Sequence, residues 1–273
     1  EQLSVLNFKN HPDSKLSFTD NINCFVGDNG SGKTNLLDAI HYLSFTKSFF
    51  TKQDAFNIYN DQPFLSVEGI FQKEEKKNVV QVAVKSGVKK VVKKDKKNYD
   101  RMADHIGLFP LVMVSPTDTE LLKAGSDLRR KYMDSVISQF NRDYLEALIK
   151  YAKLLNQRNA MLKQMYRSSN FNSSLLELYD EQMHPIAHFI YDTRKEFVNQ
   201  LTPIFLKYYQ QISNNKEDVS IIYQSQLEEQ NYIELTKSSI EKDRMSHFSS
   251  VGIHKDDLFF GLSEHPVKKR GSQ

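Results

Sequence analysis

The chain has 273 residues, of which 39% are hydrophobic and 26% charged, and its formal net charge is +3. This composition is typical of a globular protein and excludes a wholly disordered chain, and so small a charge does not identify a nucleic-acid-binding protein. One cysteine, Cys24, excludes a disulfide framework and a cysteine-rich zinc site. It lies in an apolar run, so we expect a buried, inert thiol. No run is apolar and long enough for a membrane helix, so we expect a cytoplasmic protein with no membrane partner.

Strand-like patterns dominate the first part of the chain, up to about residue 115. The runs "QLSVLNFKN" and "SKLSF" are followed by "INCFVG", and later by "FLSVEGIFQ" and "NVVQVAVKSGVKKVVKK". The last run predicts a hairpin with its turn at Ser86-Gly87. A helical pattern, "KTNLLDAIHYLSF", lies between these groups. The spacing therefore predicts a mixed α/β region.

The stretch "GDNGSGKTN" carries the strongest chemical signal. Gly27, Gly32, Lys33 and Thr34 fit the pattern G-x-x-x-x-G-K-[ST], after a predicted buried strand over residues 22–26 and before the predicted helix. Glycines let the backbone amides turn toward a phosphate, and the helix start adds its positive dipole end. We expect Lys33 to bridge the β- and γ-phosphates of a nucleotide and the Thr34 hydroxyl to bind Mg²⁺. The predicted nucleotide-binding residues are Gly27, Asp28, Asn29, Gly30, Ser31, Gly32, Lys33, Thr34 and Asn35.

A carboxylate that would hold Mg²⁺ through water is not evident. Asp118 follows an apolar run, but Pro116 interrupts the strand before the carboxylate. Asp256 and Asp257 precede their apolar residues, which is the wrong order. His254 lies near both of these, but no second histidine stands at ligand spacing, so we do not predict a metal site there.

Lysines are concentrated in the predicted hairpin, where residues 73–97 contain ten lysines. One interpretation is a solvated sheet edge on which lysine blocks pairing with other strands, and the other is a surface that contacts DNA phosphates. Both remain open. The candidate DNA contacts are Lys89, Lys90, Lys93 and Lys94 on the hairpin and Arg129 and Arg130 in the region that follows.

From about residue 117 to residue 242 the pattern becomes helical. The apolar residues of 129–166 recur at steps of three and four, and those of 174–212 do the same. The polar run "YRSSNFNSS" between them predicts the loop of a helical hairpin, and we expect Pro185 to bend the second helix. Strand-like patterns return in "VSIIYQSQ" and "VGIHKDDLFFGL". A helical insertion within an α/β domain is therefore predicted.

Several blocks, taken in order, resemble the RecF family of DNA repair and recombination proteins. They are "LNFKN", "GDNGSGKTNLLDAIHYLSFTKSF", "SPTD", "GSDLRRKYMD", "YAKLLNQRNAMLK", "GIHKDDL" and "GSQ". The resemblance implies an α/β fold: a P-loop ATPase head of the ABC and SMC type, with an antiparallel β subdomain and an inserted α-helical lobe. It implies a head formed by residues 1–116 and 243–273 and a helical arm over 117–242.

The family resemblance also implies a function. Members use ATP and Mg²⁺, form ATP-dependent homodimers, bind DNA at single-strand/double-strand junctions and help to load RecA together with RecR. By this resemblance the intact protein is a weak DNA-dependent ATPase, whereas this chain stops within the signature and lacks the acidic Walker B residues, so we expect it to be inactive. Ser272 and Gln273 match the start of the signature that contacts the nucleotide of the second copy.

Three further positions are interpreted through the family. Lys9 stands where related ATPases often have Arg, and we expect it to contribute charge to the nucleotide. Asp118 matches the region of the Q-loop, although a role in a helix N-terminal turn fits equally. Phe50 stands where many members have Arg.

Two other functions were compared with this one. A metabolic P-loop phosphotransferase would need a substrate lid and a catalytic base, and neither is evident in the sequence. A related ATPase of the overcoming-lysogenization-defect nuclease group would need a nuclease domain, which is not evident either.

Overall fold

The computed structural model describes residues 1–168, 170–214 and 216–262, and the backbone of 265–266. The described chain divides into two units, the first being Glu1–Met113 and the second beginning at Val114. Each unit has its own sheet and its own apolar core, and we describe the two separately.

An antiparallel six-stranded sheet forms most of the first unit. Its order is β2-β1-β3-β4-β5-β6, and the strands are β1 (Gln2–Phe8), β2 (His11–Ser17), β3 (Phe64–Lys73), β4 (Lys76–Lys85), β5 (Val91–Lys94) and β6 (Lys97–Asn98). The turn between β4 and β5 includes Ser86 and Gly87, which confirms the predicted hairpin. Antiparallel neighbours joined by short turns explain why local patterns predicted these strands well.

One face of this sheet is covered by α1 (Lys33–Phe45). Alternate strand residues point to the same face, so Leu3 and Val5 on β1 are buried with Val67 on β3 and Val82 on β4, which pair with each other. From the helix, Tyr42 enters the same apolar cluster and is fully buried. The helix that follows the glycine loop is therefore fixed to the sheet by its apolar side.

The predicted buried strand over residues 22–26 is wrong. Residues 22–28 belong to no strand, Ile22 and Val26 are 87% and 91% exposed, and Cys24 is exposed rather than buried. The apolar run at 110–114 also forms no strand, and Val112 is 77% exposed. A strand needs a neighbour for its backbone hydrogen bonds, and neither segment pairs with another in the described part of the chain.

Helices make up most of the second unit. They are α2 (Glu120–Lys123), α3 (Ser126–Ile137), α4 (Arg142–Ser168), α5 (Ser173–Ser213) and α6 (Tyr232–Ser246). The periodic run over 129–166 is thus divided between two helices, because the chain turns after Ile137. Helix α5 continues through both Pro185 and Pro203. The hairpin of α4 and α5 confirms the predicted pair of long helices.

The last described strands lie in the second unit, whereas the family resemblance implies that residues 243–273 belong to the head. In the structure β8 (Asp257–Leu262) pairs with β7 (Val219–Gln224), and β9 (His265–Pro266) pairs with β8. Leu258 lies in the same core as residues of α4 and α5. Pairing with β7 therefore places β8 in the helical unit, and the structure divides the chain near residue 114.

Two buried arginines connect the elements of the second unit. Arg158 on α4 binds Asp180 on α5 at 2.7 Å and Asp243 on α6 at 2.6 Å. Arg194 on α5 binds Asp256 at 2.9 Å, next to β8. Both guanidinium groups are almost completely buried, so their partners satisfy charges that water does not reach.

Among the described residues, no helix is long and apolar enough to cross a membrane.

Candidate nucleotide-binding site

The glycine loop, residues 27–32, has the backbone geometry that a phosphate-binding loop needs. Gly30 and Gly32 have φ values of 83° and 95°, a region that favours glycine. Gly32 is directly followed by α1, so the first amides of a 13-residue helix face the end of the loop. Asp28, Asn29 and Ser31 are exposed. The loop can therefore present backbone N–H groups and a positive helix end to an anion.

Lys33 points back into the loop. Its Nζ donates hydrogen bonds to the carbonyl oxygens of Gly27 and Asp28, each at 2.7 Å. The ammonium group is thereby held beside the glycine loop, at the N-terminal end of α1. A phosphate oxygen can replace these carbonyl acceptors with little movement of the side chain. The geometry supports the predicted contact between Lys33 and a phosphate chain.

A turn that sequence reasoning did not single out contacts this loop. Asn10 Nδ2 donates to the Gly30 carbonyl at 3.1 Å, and His11 Nε2 lies 3.1 Å from the Gly32 carbonyl. Asn35, on the first turn of α1, donates to Asn10 Oδ1 at 2.7 Å. Both turn residues lie about twenty positions before the loop, so no local pattern indicates the contact. Only the pairing of β1 with β2 brings the turn to this place.

Lys9 is in a different place from the one predicted. Its Nζ forms an ion pair with Asp38 Oδ2 at 2.6 Å, and Asp38 is fully buried. The Ser48 hydroxyl and the Phe49 amide also donate to Asp38. Lys9 additionally lies 5.3 Å from the centre of the Phe50 ring, at the position where relatives were expected to have Arg. In this structure Lys9 therefore neutralises a buried carboxylate of α1 instead of pointing to the glycine loop.

The backbone of Lys9 supports an anchoring role. Its φ is 53°, in the left-handed region that costs a non-glycine residue roughly 1 kcal/mol. The amide of Lys9 donates to the Asn57 carbonyl at 2.7 Å. Because the buried ion pair and this hydrogen bond hold the residue, the unusual conformation is maintained at the turn that touches the loop.

The acidic candidates have structural partners. Asp118 accepts a hydrogen bond from the Ser115 amide at 2.7 Å, within a capping box at the start of a short 3₁₀ turn. This contact supports the helix-start interpretation of Asp118 over a nucleotide-linked one. Asp256 and Asp257 bind Arg194 and Arg129. Across the residues that the structure describes, no group of three or more His, Cys, Asp or Glu side chains is arranged to hold a metal ion.

His254 is half-buried and has a protein partner at each ring nitrogen. Its Nδ1 lies 3.1 Å from the Tyr151 hydroxyl and its Nε2 lies 3.1 Å from the Ser249 carbonyl. The carbonyl can only accept, so Nε2 carries the proton and Nδ1 accepts from the tyrosine. Burial lowers the pKa of His254 to about 4. The neutral imidazole is therefore a structural element of the second unit.

The basic candidates fall into two groups. Lys89 is exposed and Lys93 is half-buried on β5 beside Gln81, and neither forms an ion pair within the described chain. Lys90, in contrast, binds Asp54 at 2.8 Å and the Thr46 carbonyl, and Lys94 binds its neighbour Asp95. The lysines of the hairpin therefore do not form one uniform charged face.

Arg129 and Arg130 are also engaged inside their own unit. Arg129 donates to both oxygens of Asp257 and to the carbonyl groups of Leu121 and Ala124. Arg130 donates to the Asp256 carbonyl at 2.6 Å. These contacts engage all three guanidinium nitrogens of Arg129 and one of Arg130, so both arginines have partners within their own unit. The predicted signature residues, Ser272 and Gln273, lie outside the described residues.

Comparison with known proteins gives consistent matches over the whole chain. The family profile described as "AAA domain" matches residues 2–246. The DNA replication and repair protein RecF of Flavobacterium johnsoniae is 43% identical over 272 residues, which cover 100% of this chain and 76% of that protein. RecF of Parabacteroides distasonis is 44% identical over 273 residues, covering 100% and 74%.

Solved structures agree with these matches. A structure described as the recombination mediator protein RecF with ATP, in the RecFOR pathway, superimposes with a TM-score of 0.93 at 27% identity, and covers 100% of this chain and 75% of that one. An Smc head bound to the C-terminal winged-helix domain of ScpA has a TM-score of 0.50 at 13% identity over 96% of this chain and 66% of the other, which shows a common fold alone.

The glycine loop before α1, the antiparallel sheet beside it and the domain match define a P-loop protein of the ATPase class with an α/β fold, as expected. The identities over the full chain show more: the chain belongs to the family of the DNA replication and repair protein RecF.

Proposed function

We propose that this protein binds ATP with Mg²⁺ at residues 27–35 and uses the nucleotide to bind DNA during recombinational repair. The observation that carries the proposal is the Lys33 ammonium, held 2.7 Å from two carbonyl oxygens of a glycine loop that opens a helix. A relative solved with ATP has the same fold over this entire chain. ATP supplies a chain of phosphates whose negative charge suits these groups.

The residues present fit a triphosphate. Gly30 and Gly32 adopt positive φ values, and a Cβ added at Gly32 would lie 2.3 Å from His11 Nε2, so only glycine fits there. In the proposed complex, the loop amides and the start of α1 bind the phosphates, and Lys33 neutralises their charge. Thr34 is exposed at the first turn and would offer its hydroxyl to Mg²⁺.

The proposed DNA substrate is gapped DNA with a single-strand/double-strand junction. We further propose that two copies associate when ATP is bound, with the signature at Ser272 and Gln273 of one copy against the nucleotide of the other. Hydrolysis would then separate them, as a weak ATPase activity. In this scheme the protein acts in the cytoplasm with RecR to help load RecA, as its family membership supports.

On the surface of the first unit, Lys89 and Lys93 are the best remaining DNA contacts. Contacts from lysine to phosphate do not depend on sequence, so the proposed binding responds to DNA structure and salt rather than to base identity. The edge-protection interpretation of these lysines is compatible with this use.

The test is nucleotide-dependent binding to gapped DNA. We expect ATP and Mg²⁺ to strengthen binding to a gapped duplex, and Lys33→Met to abolish that gain. Lys15→Met, on the exposed side of β2, is the matched control and should retain the gain. Equal binding of the gapped duplex with and without ATP in the unmodified protein would contradict the proposal.

A further inference from the structure

The β1–β2 turn, by which we mean Lys9, Asn10 and the first residue of β2, His11, touches the glycine loop and α1 through three consecutive side chains. Lys9 binds Asp38 on α1, Asn10 binds the Gly30 carbonyl and His11 binds the Gly32 carbonyl. The segment before the loop, residues 22–26, forms no strand. Asn10 and His11 therefore bind two of the loop's carbonyl groups, those of Gly30 and Gly32, while Lys33 of α1 binds those of Gly27 and Asp28.

The orientation of these bonds matters for anion binding. Within the loop, the Gly27 and Asp28 carbonyls accept from Lys33 Nζ, and Asp28 also accepts from the Ser31 amide at 3.2 Å. Each peptide group has its N–H and its C=O on opposite sides, so where a loop carbonyl faces outward, as at Gly30 and Gly32, the amide of the next residue faces inward. Those outward carbonyls need donors of their own. Asn10 Nδ2 is such a donor for Gly30, and His11 Nε2 is the donor for Gly32, whose carbonyl also accepts the Leu36 amide of α1.

The tautomer of His11 is set by the partner of its other ring nitrogen. Its Nδ1 lies 3.1 Å from the Ser14 hydroxyl, which can donate to that nitrogen. With Nδ1 as the acceptor, Nε2 carries the proton, as the Gly32 carbonyl requires. Asn10 is held similarly, because Asn35 on α1 donates to its Oδ1 at 2.7 Å. The two donors are thus oriented by groups on both sides of the contact.

Close packing at Gly32 agrees with this arrangement. A Cβ built on Gly32 would lie 2.3 Å from His11 Nε2 and 2.4 Å from Asn10 Oδ1. The turn therefore approaches the backbone of the loop as closely as glycine allows. Such an approach is costly to maintain unless both partners are well placed, and it fixes the loop relative to β1 and β2.

We propose that Asn10 and His11 are positioning residues for nucleotide binding: they hold the Gly30 and Gly32 carbonyls outward, so that the loop amides are set for phosphate before a nucleotide arrives. In this role both side chains act through the loop carbonyls that they bind. The inference rests on the proposed ATP binding at residues 27–35. In this role the β1–β2 turn orders the loop before nucleotide binds. Affinity is then not reduced by the cost of ordering the loop during binding.

The experiment compares His11→Ala, Asn10→Ala and His11→Gln with the unmodified chain and with Lys15→Ala as control. Amide hydrogen exchange of residues 30–35 is measured without nucleotide, and dissociation constants for MgATP and MgADP are measured by calorimetry. We expect each alanine variant to exchange faster in the loop and to bind both nucleotides about fivefold to tenfold more weakly, the effect of one lost hydrogen bond. His11→Gln, whose amide can still donate, should recover much of the affinity.

The outcomes separate this inference from the proposed function. If the unmodified chain binds no MgATP, the proposed function fails and the inference fails with it. If the unmodified chain binds MgATP and both alanine variants bind it equally well, with unchanged exchange in residues 30–35, only the inference is overturned. Thermal unfolding without nucleotide identifies a general loss of folding, and a variant that loses melting temperature while its affinity is unchanged also overturns the inference.

Discussion

Lys33 in the first unit and two arginines in the second unit hold their charges in opposite ways. In the first unit, Lys33 is the first residue of α1 and donates to backbone carbonyls of the exposed loop that a ligand can replace. In the second unit, Arg158 and Arg194 are buried and donate to carboxylates that belong to the fold. A cation that binds a ligand needs hydrogen-bond acceptors that the ligand can displace. A cation that joins helices needs carboxylate partners that stay bound in the folded protein.

The surroundings of Lys33 and of the buried arginines differ as well. The loop region keeps apolar residues such as Ile22 and Val26 on the surface, and its order depends on single hydrogen bonds from a turn. The second unit surrounds Arg194 with Asp134, Asp256 and the hydroxyl of Tyr144. Burial raises the pKa of Asp256, yet the carboxylate stays in contact with Arg194, so removal of either partner leaves an uncompensated group.

Loss of a buried arginine should give the largest effect. We expect Arg194→Met to lower the free energy of unfolding by about 3–5 kcal/mol, because Asp256 and Asp134 would lose their cation. The control is Arg244→Met, in which a guanidinium that is mostly exposed is removed. Its expected change is within about 0.5 kcal/mol. Urea unfolding of both variants measures the difference, and a loss below about 1 kcal/mol for Arg194→Met would refute the assigned role.

His254 should make the second unit sensitive to acid. Burial lowers its pKa in the folded chain to about 4, below the ordinary value of 6.5, so the unfolded chain binds more protons between these two values. Stability from this residue is therefore present above pH 6.5 and is lost as the pH falls toward 4. Between pH 7 and pH 5 the expected loss is about 2 kcal/mol.

The comparison variant for this effect is His254→Gln. It cannot gain a proton, so its stability should fall less between pH 7 and pH 5 than that of the unmodified chain. Burial also lowers the pKa of His41 and His105 in the first unit, and their contributions remain in both proteins. Identical pH profiles for the two proteins would show that His254 does not carry the effect.

The smallest predicted effect concerns DNA. If Lys89 and Lys93 contact phosphates, each change to Ala should reduce the slope of log affinity against log salt by about 0.9 for duplex DNA. Lys90→Ala is the matched control, because the ammonium of Lys90 is used by Asp54 and Thr46. Its salt slope should not change. Unchanged slopes for Lys89→Ala and Lys93→Ala would favour sheet-edge protection as the sole role of these lysines.

Sequence reasoning succeeded where the determinants are local. The glycine loop, α1, the β4–β5 hairpin and the two long helices each follow from a pattern within a few tens of residues. The family resemblance was confirmed by matches over the whole chain. No local pattern indicated that β8 pairs with β7, on the other side of the predicted boundary at 243, because this contact depends on the surrounding tertiary structure.

Other features depend on tertiary contacts. The sequence suggests that Arg129 and Arg130 are surface cations, and only the folded structure shows that they donate hydrogen bonds to residues 256 and 257. The contacts from Asn10 and His11 to the glycine loop join segments about twenty residues apart through a strand pair. Periodicity reports which face of an element is buried, but it does not report the partner of a polar side chain.

The most direct test of the account is calorimetric titration of the protein with ATP in the presence of Mg²⁺. We expect binding at a single site per chain, at least a hundredfold weaker in Lys33→Met and unchanged in Lys15→Met, which corresponds to about 2.7 kcal/mol for the lost ammonium contacts. Absence of heat from ATP in the unmodified protein, or equal affinity in Lys33→Met, would contradict nucleotide binding at the glycine loop.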